Sequence, residues 1–243
     1  MLSVILSELL PRGKILRNFW PTYLVASDTE ANRWQQQYVD SLLQEEVLTF
    51  ADIQNIRTFE TVVDLLRTRV GYTISYQSIA LDLGISPNTV KKYIQILEAL
   101  YIIFRVTPYS KNIARSLIKE PKIYFFDTGL VKGDDGAKFE NLVAVCLLKH
   151  IYSKIDYLGE EYALHYIRTK DKEEVDFAII KDKKIQLLIE AKNSDDVLSK
   201  TLKKFHEKYQ LPAMQVVKLL RQTKQIDKIK ICPAHLFLQE LDL

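Results

Sequence analysis

Ile185-Gln186-Leu187-Leu188-Ile189-Glu190-Ala191-Lys192 decides the reading of this chain: an apolar run of strand length that ends in a carboxylate, a small residue and an ammonium. The period of two along a strand puts Glu190 and Lys192 on one face and Ala191 on the other. Upstream, Glu174-Val175-Asp176-Phe177 begins a second strand, and the turn between Lys181 and Lys184 lays the two antiparallel, bringing Asp176 near Glu190. Carboxylates held that close raise one another's pKa unless a cation lies between them. Oxygen ligands of this kind suit Mg²⁺ or Mn²⁺, which keep several waters and bind through one or two carboxylates. Lys192 could then stabilise charge on an attacking hydroxide or a scissile phosphate, which is the equipment for metal-assisted phosphodiester hydrolysis. Taken alone, the Glu-x-Lys tripeptide fits an exposed strand end with an ion pair equally well.

Upstream of these strands, a helix is expected over about 137–153. On it Glu140 faces the same way as Val143, Ala144 and Leu147, so a carboxylate sits on an apolar face, where it is costly unless partnered. Strands are expected near 161–168, 174–180, 185–192, 214–220 and 229–231, with a second helix near 197–209, giving the order α-β-β-β-α-β. Lys200, Lys203 and Lys204 on that helix are either a solvated face or a hold on a phosphate backbone. His165 and His206 each lack a second histidine or cysteine at ligand spacing and are not assigned to a metal.

Before the acidic region the chain reads as helical. Residues 29–50 carry Trp34, Tyr38, Leu42 and Val47 at helical intervals, and a further helix runs through Phe59, Val62, Val63 and Leu66. Ser78 to Leu83 forms a short helix stopped by Gly84; Ser86 caps the next, with Pro87 in its first turn and Val90, Ile94, Leu97 and Tyr101 on its inner face. The runs 102–106 and 122–126 are β-rich, so the whole suggests a winged helix-turn-helix. Asn88, Lys91, Lys92 and Gln95 point outward and, with Thr89, are the candidates for a DNA major groove. Only two of them are basic, so a protein-packing role is at least as consistent. Tyr124, Phe125 and Phe126 read as core, Asp127-Thr128-Gly129 as an Asp-capped turn, and 129–136 as a linker. Three regions are therefore expected: 1–70 helical, 71–130 the winged helix-turn-helix, and 137–243 the α/β part.

Composition sets the frame. The 243 residues, 47% hydrophobic and 27% charged with 7 Gly and 7 Pro, exclude collagenous and largely disordered classes. The net charge of +3 falls in 138–243, the first 137 residues being balanced, and does not by itself indicate nucleic acid. Two cysteines, Cys146 and Cys232, form no disulfide framework or zinc spacing, and a reducing, cytoplasmic location is expected. The opening Met1-Leu2-Ser3-Val4-Ile5-Leu6 is apolar but short, has no basic leader and is interrupted by Glu8, so neither a membrane span nor a signal sequence is expected.

Glu140, Asp176, Glu190 and Lys192, in that order of elements, resemble the PD-(D/E)XK nuclease superfamily, whose signature is a helical Glu, a strand Asp and an E-x-K strand. More closely, Pro121 to Leu130, Phe139-Glu140-Asn141, Glu174-Val175-Asp176-Phe177 and Ile189-Glu190-Ala191-Lys192 resemble the domain of unknown function 4143, which usually ends bacterial and archaeal AAA-type ATPases. The resemblance implies an α+β protein in which a winged helix-turn-helix precedes a restriction-endonuclease-like αβββαβ domain. It also implies Asp176, Glu190 and the Ala191 carbonyl as ligands of Mg²⁺ or Mn²⁺, Lys192 beside the nucleophile, and Glu140 reaching the metal through water. No G-x-x-x-x-G-K-[ST] occurs; Arg12-Gly13-Lys14-Ile15 lacks the first glycine and the hydroxyl, so ATP hydrolysis by this chain is not expected. The function expected is binding or metal-dependent cleavage of nucleic acid, DNA above RNA, with an ATPase as possible partner. The alternatives are a non-catalytic module docking to an ATPase or another protein, and a winged-helix DNA-binding regulator.

Overall fold

A computed structural model describes residues 55–110, 120–169, 171–194 and 197–241. The helix expected over 29–50, the opening apolar run and residues 111–119 of the expected wing lie outside them. Among the described residues three helices come first. Asn55 caps α1 (Ile56–Thr68) by accepting the Thr58 N–H, and its buried stripe is Phe59, Val62, Val63 and Leu66. Ser75 caps α2 (Tyr76–Leu83), which ends at Gly84 with φ +64°, a left-handed conformation that favours glycine. Ser86 caps α3 (Pro87–Ala99), whose inward residues are Val90, Tyr93, Ile94 and Leu97. Antiparallel strands β1 (Ile103–Pro108) and β2 (Lys122–Phe125) follow.

A short 3-10 turn at Thr128–Leu130, in which Asp127 accepts the Gly129 N–H, leads to the 24-residue helix α4 (Asp135–Leu158), capped by Asp134. Then come β3 (Tyr162–Arg168), β4 (Glu174–Lys181), β5 (Lys184–Lys192), α5 (Lys200–Tyr209), β6 (Ala213–Val217), β7 (Lys224–Ile226), β8 (Ile229–Pro233) and α6 (Ala234–Gln239). The expected α-β-β-β-α-β order holds from α4 to β6. The exposed, mostly polar β7 and the short α6 were not expected from the pattern, because three to six residues are too few for a period to register. Helix α4 extends past residue 153 until Gly159, at φ +65°, ends it.

The eight strands form one mixed sheet, ordered β2-β1-β3-β4-β5-β6-β8-β7. β3, β4 and β5 are antiparallel neighbours, whereas β5, β6 and β8 run parallel. Asp182 and Lys183, both at positive φ, make the two-residue turn between β4 and β5. One core runs from Phe59 and Leu97 of the helices through Tyr124 and Phe139 to Phe177 and Ile189, beneath α4. The other lies beneath α5 and joins Val175, Ala178, Ile180 and Leu188 to Leu202 and Phe205. The arrangement is a mixed α+β fold, mostly helical at its start and built on a mixed sheet thereafter. No helix among the described residues is long and apolar enough to cross a membrane.

Candidate functional site

Strand pairing brings the acids together. The β4–β5 register places Phe177 opposite Ile189, so Asp176 and Glu190 fall at adjacent positions where the ladder ends. β4 also carries an irregularity against β3: Ile167 pairs with Val175 but His165 with Ala178, which leaves one extra residue on β4 around Asp176 and Phe177. Such a bulge re-aims a side chain. Asp176 uses it to reach two ways, accepting the Ala191 N–H on Oδ2 at 3.0 Å and meeting Lys122 Nζ at 3.5 Å on Oδ1.

Glu190 lies on the α5 side of the sheet, between residues that pack beneath α4, and is 5% exposed. Its Oε1 meets Lys192 Nζ at 2.9 Å and accepts the Ser199 hydroxyl at 3.3 Å. Its Oε2 is buried without a hydrogen-bond partner. Burial, and then the neighbouring Asp176 carboxylate, push the Glu190 carboxyl up to about 7 against the pull of Lys192. Beside Glu190 in the β5–β6 register stands the fully buried Gln215, whose side chain accepts the Ser199 N–H and donates to the Val197 carbonyl. It thereby fixes the start of α5 next to the acid.

Glu140 comes from α4 and is engaged elsewhere. Tyr124 donates its hydroxyl to Glu140 Oε1 at 2.7 Å, and Lys122 Nζ lies 3.3 Å from the same oxygen. Lys122 is 1% exposed and also meets Glu174 at 2.8 Å, so one ammonium faces three carboxylates. Burial disfavours its charge, but Glu140, Asp176 and Glu174 together outweigh that and hold it protonated beyond the ordinary lysine range. Burial and the charge of Asp176 raise the Glu140 carboxyl in turn, opposed by Lys122. The loop after α1 closes over this cluster: Ile74 donates its N–H to the Pro121 carbonyl, and Arg168 reaches Thr73.

Lys122, Tyr124, Glu174, Ser199 and Gln215 thus surround the acids although none of them was assigned to a site from the sequence. A signal did exist for three of them. Lys122 and Tyr124 share one face of an apolar strand by alternation, and Glu174 stands two residues before Asp176.

The helix-borne lysines sit apart in their contacts. Lys204 pairs with Glu173, Lys203 with Asp227 and Glu207, and both line a shallow groove with Lys200. On α3, Asn88, Lys91, Lys92 and Gln95 are exposed and Thr89 half-buried, its hydroxyl shared with the capping Ser86. His165 is occupied by Thr107 and His206 by the Leu211 carbonyl.

A divalent cation here would draw on few protein groups. No set of three or more His, Cys, Asp or Glu side chains among the described residues could hold a metal. Asp176 and the orphaned Glu190 Oε2 nevertheless fit a hard cation by their oxygen chemistry, since it would supply the partner this buried oxygen lacks.

Residues 12–134 match the family described as domain of unknown function (DUF8612), and residues 135–237 match domain of unknown function (DUF4143). Two uncharacterized proteins, Mb2031c of Mycobacterium bovis and Rv2008c of Mycobacterium tuberculosis, are each 23% identical over 111 residues, 46% of this chain. The match spans about a quarter of the length of these relatives (25%). No solved structure matches the chain.

Proposed function

The chain belongs to the family described as domain of unknown function (DUF8612), and from its site we propose that it binds nucleic acid and, with Mg²⁺ or Mn²⁺, cleaves phosphodiester bonds in the manner of PD-(D/E)XK nucleases. One observation carries the reading: a buried carboxylate oxygen without a partner, Glu190 Oε2, beside a second strand acid and a lysine two residues on. Asp176, Glu190 and the Ala191 carbonyl would hold the cation, whose chemistry is Lewis-acid polarisation and a nucleophile at neutral pH. Lys192 supplies positive charge to the scissile phosphate, and Ser199 with Gln215 keeps Glu190 in place. The α4-β3-β4-β5-α5-β6 order supports a restriction-endonuclease-like arrangement.

Helices α2 and α3 followed by the β1–β2 pair support a winged-helix reading of the preceding segment, with α3 offered to duplex DNA. The resemblance to the ends of AAA-type ATPases makes a motor protein the partner of choice, and a cytoplasmic setting suits that pairing.

A second reading, a non-catalytic docking module, is favoured by the same cluster: Lys122 already neutralises the acids on the α4 side, and a fold can keep such a site without turnover. Calorimetric titration with Mn²⁺ separates the two. Binding by the wild type that is lost in both Asp176→Ala and Glu190→Ala, followed by metal-dependent cleavage of DNA, is the expected result; no binding at millimolar Mn²⁺ in the presence of DNA favours the docking module.

A further inference from the structure

The acids do not form one pool. Glu140 and Glu174 gather round Lys122 together with Tyr124, whereas Glu190 faces Lys192 and Ser199; Asp176 lies between the two groups, meeting Lys122 on Oδ1 and accepting on Oδ2 the N–H of Ala191, the residue after Glu190. With both Asp176 oxygens already engaged, a cation seated against Glu190 Oε2 would share Oδ1 with the ammonium and meet its positive charge there. Lys122 has nowhere else to go cheaply, being buried and surrounded by acids that lose their counter-charge if it leaves.

We propose that Lys122 is a resident cation that competes with the divalent ion for Asp176 and sets how tightly that ion binds, with Glu140 committed to Lys122 and Tyr124 rather than to the metal. This rests on the metal-site reading above and adds a positioning residue to it. Because the ammonium is covalently fixed, its local concentration is high, and a free ion displaces it only by a better fit or with help from substrate phosphates. Lys122 thereby links metal occupancy to the loop that closes over it: Thr73 forms an isolated β-bridge with Lys122, and Gly71 lies against the Glu140 carboxylate.

The test is Mn²⁺ calorimetry on the whole chain. Wild type is compared with Lys122→Met, and Glu140→Gln with the double variant Lys122→Met/Glu140→Gln, which removes a buried negative charge along with the positive one so that the fold survives; circular dichroism checks each protein. Loss of the competing charge is expected to tighten Mn²⁺ binding by about tenfold or more in both comparisons. Glu140→Gln alone removes a negative charge from the cluster and should not tighten it. The gain should vanish when Asp176→Ala is added. Unchanged or weaker binding on removing Lys122 overturns the proposal while leaving the metal site standing. A gain that survives Asp176→Ala also overturns it, since the ion would then sit elsewhere. No binding by any of the proteins overturns both this proposal and the metal-site reading.

Discussion

The Ala191 backbone N–H donates to Asp176 Oδ2 at 3.0 Å, so the acid nearest Glu190 also completes the hydrogen bonding of β5 where its ladder with β4 runs out. Site and sheet therefore share a residue. A neutral isostere, Asp176→Asn, can keep this bond through its amide oxygen while giving up the charge, which makes it a gentler probe than alanine.

Asn141 supports a prediction about stability alone. It is fully buried on α4, accepts the Phe125 N–H at 2.8 Å, and donates to the Phe125 carbonyl and the Thr128 hydroxyl. These bonds tie α4 to β2, next to the residues that hold Glu140. Asn141→Ala leaves buried backbone groups unpaired and is expected to cost about 3 kcal/mol, read from urea unfolding; Asn141→Asp, which places a charge there, should cost more.

Gly71 and Gly84 make a matched pair. Both have positive φ, +79° and +64°, but a Cβ at Gly71 would come within 2.7 Å of the Glu140 carboxylate, whereas one at Gly84 would meet nothing. Gly84→Ala should cost about 1 kcal/mol from backbone strain, and Gly71→Ala about 3 kcal/mol because Glu140 is pinned by Tyr124 and Lys122. Combining Gly71→Ala with Glu140→Ala should recover part of the difference in unfolding free energy.

Much of this was legible in the sequence, and the part that was not has a physical cause. Glu140, Asp176, Glu190 and Lys192 stand out because charges at the ends of apolar strands or on an apolar helix face are costly, and the strand turn at Asp182-Lys183 follows from its position between two apolar runs. The bulge in β4 is invisible to a period-two argument, which would have kept Asp176 on the same side as Ala178 and Ile180. The role of Lys122 depends on pairing between elements up to 54 residues apart, which no local pattern encodes. Tyr124, expected as core, is indeed buried, but its hydroxyl is committed to Glu140.

Glu190 gives stability a pH dependence of unusual sign. Its folded-state carboxyl is raised to about 7, so between the ordinary glutamate range and about pH 7 the folded chain binds more protons than the unfolded one. Its contribution is absent where both states are protonated, and the chain loses stability as pH rises through that window, the full cost remaining above it. Glu190→Gln should flatten the slope of unfolding free energy between pH 5 and 7, leaving the part that belongs to Glu140, raised in the same direction. Equilibrium unfolding of both proteins across that range checks it, and a wild-type slope of the opposite sign would contradict the raised carboxyl.

The exposed face of α3 decides whether duplex DNA is held by the helical segment. Lys91 and Lys92 are its basic residues, and each neutralised phosphate should contribute about one unit to the dependence of log affinity on log salt. Replacing both by glutamine should weaken duplex binding and lower that slope by about two, without altering Mn²⁺ binding, because Asp176 and Glu190 stand on β4 and β5 and not on α3. A parallel replacement of Lys200, Lys203 and Lys204 tests the α5 groove, where Lys203 and Lys204 are already paired with acids and less free to release counterions. Gel shifts at several salt concentrations read both. If the α3 variant keeps the wild-type slope while the α5 variant loses it, the nucleic acid tracks the α5 groove and α3 serves packing or a protein partner instead.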